Sequence, residues 1–194
     1  MRRLFPALVV LLSANPVAAE VWEYGDRECR ELWFMRNLIM DRAGYCFGSA
    51  LGRALFDNRD CSGADIDPGP DQRRQVSKIQ ALESRIGCRV DTTATELGGV
   101  DMQGLRRLRD MPLPDNGGSA CVSWRGKTVP LHDGYGPGSR VIGQLRPGDR
   151  VDFGFIGEGD WNVISVASGA EDGRLGWLNM SDVDWSASCT DWVG

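Results

Sequence analysis

Val151-Asp152-Phe153-Gly154-Phe155, followed a few residues later by Trp161-Asn162-Val163, is the stretch that decides how the second half of this chain folds. Apolar side chains at every second position put Val151, Phe153 and Phe155 on one face of a strand, and Trp161 and Val163 on one face of the next. Ahead of them Gly134, Gly136, Gly138, Gly143 and Gly148 recur at the close intervals expected of turns in a small barrel. Five of the seven tryptophans also fall beyond residue 120. The expectation for residues 120–194 is therefore a compact β-barrel.

Toward the amino end the periodicity changes from two to about 3.6. Leu32, Met35, Leu38 and Ile39 predict a helix from Glu28 to Arg42, ended by Gly44. Ser49 is placed to cap a short helix from Ala50 to Phe56. Val76, Ile79, Leu82 and Ile86 form the clearest stripe, with Asp71 as the expected N-cap and Gly87 as the stop. Between the halves, Thr92, Thr93, Gly98, Gly99, Pro112, Pro114, Gly117 and Gly118 break any long element, leaving one short helix over 102–109 behind Asp101. The fold class expected is α+β. A disulfide-bonded helical domain over 20–110 is followed by a linker at 111–119 and the barrel.

The first residues read as an export signal. Arg2 and Arg3 precede an apolar run from Leu4 to Leu12, and Val17 and Ala19 are the small side chains that set cleavage after Ala19. The run is far shorter than the roughly 20 residues that span a bilayer, so no membrane insertion is expected. Cys29, Cys46, Cys61, Cys88, Cys121 and Cys189 remain, an even set that in an exported chain of this size reads as three disulfides. The shortest gap between them is fifteen residues and the chain has one histidine, which speaks against a zinc site or any other resident metal or cofactor.

Chain geometry orders the pairing. Cys121 precedes the first barrel strand and Cys189 follows the last, so barrel closure joins them. Cys29 and Cys46 flank a helix about 20 Å long, too far for the short link after it to return. Cys29 is left with Cys61 or Cys88. An antiparallel third helix favours Cys29–Cys88, with Cys46–Cys61.

Losing Arg2 and Arg3 with the signal takes the net charge from −5 to −7, and from residue 111 onward 6 basic residues face 11 acidic ones. A nucleic-acid partner, which demands a basic face, is excluded as an expectation, and so is an anionic membrane surface. Catalysis is not expected either. His132 is the single side chain suited to proton transfer near neutral pH, the even cysteine count leaves no free thiol, and no Gly-x-Ser-x-Gly elbow is present. Asp57, Asp60, Asp65, Asp67 and Asp71 lack the spacing and closing glutamate of a calcium loop. Arg36, Asn37 and Arg42 are expected to tie the first helix to the Gly44-Tyr45 turn through backbone carbonyls.

Two resemblances add to this reading. Val129-Pro130-Leu131-His132-Asp133, Gly136-Pro137-Gly138-Ser139, Val141-Ile142-Gly143-Gln144-Leu145, Pro147-Gly148, Trp161-Asn162-Val163 and Gly176-Trp177-Leu178 follow one another as in bacterial SH3-like domains. The resemblance implies a five-stranded barrel over about 120–185. Glu31-Leu32-Trp33, Arg36-Asn37-Leu38-Ile39 and Arg42-Ala43-Gly44-Tyr45-Cys46-Phe47 resemble the YARHG family of extracellular bacterial domains, with Ala43 where that family has histidine. The YARHG resemblance implies an extracytoplasmic, periplasmic or secreted, location at the cell wall. The expected function is a non-catalytic exported module that docks a cell-wall peptide or envelope protein. Tyr135, Trp161, His132 and Trp177 are the candidate ligand contacts, since aromatics between barrel loops stack on sugars or grip peptides. The alternative is an accessory or inhibitor protein that grips a secreted enzyme through its helices.

Overall fold

The computed structural model describes residues 24–168, 171–189 and 191–194. The expected signal peptide, residues 1–19, lies outside them. Four helices come first: α1 (Asp26–Arg42), α2 (Ala50–Leu55), α3 (Pro70–Arg85) and α4 (Met102–Arg107). The strands follow as β1 (Leu113–Cys121), β2 (Val129–His132), β3 (Val141–Leu145), β4 (Arg150–Ile156), β5 (Trp161–Ser168) and β6 (Glu171–Asn179). A 3-10 turn over Met180–Asp182, the one-turn helix α5 (Trp185–Ser188) and the short strand β7 (Trp192–Val193) complete the chain. No described helix is long and apolar enough to cross a membrane.

Local chemistry sets the helix starts. Ser49 Oγ accepts from the Gly52 amide at 3.1 Å and Asp101 Oδ1 from the Gly104 amide at 2.8 Å, each satisfying a donor that the first turn leaves open. α3 begins one residue ahead of its expected cap: Gly69 is the N-cap, and Pro70 takes the first helical position, where its missing N–H costs nothing. α1 likewise starts earlier than Glu28, because the Glu28 carboxylate reaches back to the Gly25 amide at 2.8 Å.

The seven strands form one sheet in the order β3-β2-β6-β5-β4-β1-β7. The expected closed barrel is corrected to an open sheet. Strand β4 has β5 on one edge and β1 on the other, so no edge is left for β3 to close upon. The linker expected at 111–119 is corrected as well, since most of it is β1. Pro114 and Gly117-Gly118 sit where the β1–β4 register slips between Pro114 and Ser119, and an irregularity of this kind accommodates residues that break a regular ladder.

Both faces of the central strands are buried. Ile164, Val166 and Leu178 face one cluster with Trp124, Leu131, Leu145 and Val151. Val163, Leu175 and Trp177 face the other way, into a cluster built by Leu32, Phe34 and Met35 of α1, Ile79 and Leu82 of α3, and Leu105 of α4. The helical layer and the sheet therefore share a core rather than standing as two separate units. Polar ties reinforce it: Arg36 pairs with Glu83 of α3 at 3.0 Å, and Arg42 donates to the carbonyls of Leu108 (2.7 Å) and Arg106 (2.9 Å). Asn37 donates to Trp33 within α1. These residues are structural, but they serve α3, α4 and α1 itself rather than the Gly44-Tyr45 turn, because α4 packs against the end of α1.

The disulfides are Cys29–Cys88, Cys46–Cys61 and Cys121–Cys189, the arrangement favoured by chain geometry, and no cysteine is free. Each joins residues within one half of the chain.

Candidate functional site

The four residues expected to contact a ligand lie along the seam between sheet and helices. His132 of β2 is the register partner of Trp177 of β6, and its ring meets Trp161 edge-on at 5.4 Å. Its Nδ1 lies 3.2 Å from Ser139 Oγ, and Ser139 in turn donates to the Gly136 carbonyl at 3.1 Å. Tyr135 packs against Trp177 with ring centroids 5.1 Å apart. Its phenol is pushed above its ordinary pKa by burial, with the carboxylate of Glu158 adding to the effect. Beside it, Lys78 of α3 and Glu158 form an ion pair of 2.7 Å across the same cleft.

Trp177 is removed from the ligand contacts. It is 1 % exposed, and its indole N–H donates to the Asp110 carbonyl at 2.8 Å, so it has neither open surface nor an open donor. Asp110 also holds the neighbouring loop, accepting from the Tyr135 amide at 3.2 Å and from Arg109 at 2.7 Å. The seam is thus chiefly a joint, with Tyr135 and Trp161 half-buried in it. The aspartates at 57, 67 and 71 pair with Arg59, Arg73 and Arg74.

A second aromatic surface escaped the sequence reading. Phe153 and Phe155 of β4, Trp185 of α5 and Trp192 of β7 line an open groove together with Asp115 and Gly117 to Ser119 of β1. Asp184 caps α5, accepting from the Ala187 amide at 3.1 Å, which fixes Trp185 at the helix start. β7 is held to β1 through Ala120↔Val193 and Cys121↔Trp192, beside the Cys121–Cys189 link. These constraints assemble the rings. Trp192 lies 5.9 Å from Phe153 at 27°, while Trp185 meets Phe153 at 71° and Trp192 at 54°. Trp192 is 48 % exposed, a large apolar side chain left open to solvent. Asn162 and Trp185 also line the groove, and their side-chain atoms Oδ1 and Nε1 are buried without a hydrogen-bond partner.

A wider cleft runs between the start of α1, α4 and the β1–β4 side of the sheet. Glu31 lies in it, and burial pushes its carboxyl up to about 7. Arg150 and Asp152 on the same cleft wall neutralise each other at 2.6 Å.

No curated protein and no solved structure is significantly similar to the chain. Residues 9–84 match the YARHG domain, over a longer stretch than the motifs that first suggested it. The carboxy-terminal match is to a family of unknown function and does not itself show an SH3-like domain; it begins before α4, so α4 and β1 fall within it together with the rest of the sheet. Residues 87–194, more than half of the chain, match the family described as domain of unknown function DUF4453, and the chain belongs to that family.

Proposed function

We propose that the protein is an exported, non-catalytic module that binds a peptide segment of the cell wall or of an envelope protein. The observation that carries this reading is the groove of Phe153, Phe155, Trp185 and Trp192, in which Trp192 is left 48 % exposed. Aromatic-lined grooves of this kind receive extended peptide segments. Three disulfides and an extracellular type of domain support a site of action outside the cytoplasm. Tyr135, Trp161 and His132 serve the neighbouring seam rather than the groove.

The alternative, an inhibitor gripping an enzyme through its helices, has less to stand on. The apolar face of α1 is buried against α3, α4 and the sheet. Co-sedimentation of the oxidised protein with purified cell wall, alongside titration of its tryptophan fluorescence with wall-derived peptides, tests the reading. Binding that is lost in Trp192→Ala is expected. Co-purification of one secreted enzyme without any wall or peptide binding would overturn it.

A further inference from the structure

The groove also has a chemical preference. Resting on the peptide-binding reading, we infer that it holds a cationic side chain of its ligand: the amine of lysine or of a diamino acid, or a guanidinium. Its lining contains one carboxylate, Asp115, and no lysine or arginine. Asp115 enters no ion pair among the described residues. Trp185 packs at a steep angle against both Phe153 and Trp192, and Trp192 stays 48 % exposed. The negative face of an exposed indole attracts a cation. An ammonium brings three donors and no acceptor, which suits the Asp115 carboxylate, whose Oδ1 accepts one bond from the Asn116 amide at 2.8 Å and whose remaining lone pairs can accept more. An anionic side chain meets the opposite: a carboxylate already present and no cation to receive it. The surroundings agree in sign, with 11 acidic residues against 6 basic from residue 111 onward.

The test uses the full oxidised protein and three short blocked peptides that differ at one central residue: lysine, Nε-acetyl-lysine and norleucine. Tryptophan fluorescence and calorimetry give the affinities. The lysine peptide is expected to bind about tenfold more tightly than either neutral peptide, the scale of a partly desolvated cation–π contact. Trp192→Ala is expected to abolish the difference, and Asp115→Asn to shrink it and to weaken its dependence on salt. Asp115 lies on an exposed stretch of β1, so its variant serves even where Trp192→Ala unfolds. Equal affinity for lysine and norleucine peptides overturns the cationic preference while leaving peptide binding intact. Binding of none of the three, nor of cell wall, overturns both. A lysine preference that survives both substitutions places the site elsewhere and overturns this assignment.

Discussion

Replacing Cys121 and Cys189 together by alanine is the perturbation whose size the structure defines best. The link spans 68 residues, and in the chain-entropy description a loop of that length removes enough freedom from the unfolded chain to stabilise the fold by about 4 kcal/mol. Both cysteines are buried, at 0 % and 3 % exposure, among Trp124, Val151 and Leu178, so the truncated side chains leave small voids that add about 1 kcal/mol. The total is a large share of the roughly 5–15 kcal/mol that holds an ordinary domain together. Urea unfolding of wild type and double variant, followed by tryptophan fluorescence and by far-ultraviolet circular dichroism, measures it. The midpoint should fall sharply, and the two probes should still report one transition, because helices and sheet share a core. A loss below about 1 kcal/mol would refute the loop argument. Separate transitions for the helical signal and the tryptophans would refute the shared core.

Glu31 offers a pH test. Its carboxyl titrates near 7 in the fold against an ordinary 4.5, so between those values the folded chain holds a proton that the unfolded chain has lost. That contribution to stability is present at low pH and is lost as pH rises toward 7. Glu31→Gln should flatten the decline between pH 5 and pH 8, and urea midpoints that fall equally in variant and wild type would show the burial to be misread. Trp177→Phe leaves the Asp110 carbonyl without its indole donor and should cost about 1–3 kcal/mol, with peptide affinity unchanged in a parallel titration. Limited proteolysis should nick the exposed run from Asp115 to Gly118 without releasing two folded pieces, since Val163, Leu175 and Trp177 stay packed on α1 and α3. Separation of the halves on a sizing column after the nick would contradict that.

Local rules were legible wherever they sufficed. The Ile79–Leu82 stripe, the caps at Ser49 and Asp101 and the alternation at Val151 and Phe153 each depend on near neighbours, and each matches an element of the fold. The disulfide pairing was legible for a related reason, since helix length limits which cysteines can meet. What escaped depends on partners far away in the chain. β1 hides behind Pro114 and Gly117-Gly118, because its pairing with β4 resumes only past the slip. The shared core hides because β5 buries Val163 on one face and Ile164 on the other, and neither names the layer it meets. Trp177 looked available for a ligand because its acceptor, Asp110, lies 67 residues earlier. Trp185 and Trp192 come after Gly176-Trp177-Leu178, the last of the motifs that mark the strands in the sequence. They are brought beside Phe153 by the Cys121–Cys189 bond and the return of β7 to β1.

The nesting of the amino-terminal disulfides bears on how the protein matures. Cys46–Cys61 lies inside the span of Cys29–Cys88, so Cys29 does not pair with Cys46, the next cysteine along the chain. A chain that emerges amino end first into an oxidising compartment presents Cys29 and Cys46 together before α3 has appeared. An oxidase acting on thiols in order of arrival would join those two and strand Cys61 with Cys88. Rescue from that state proceeds by thiolate attack on the wrong bond, a reshuffling that takes seconds to hours unless an isomerase assists. Yield in a host lacking such an isomerase therefore becomes a matter of timing, set by whether α1 closes against α3 before the oxidant reaches Cys29.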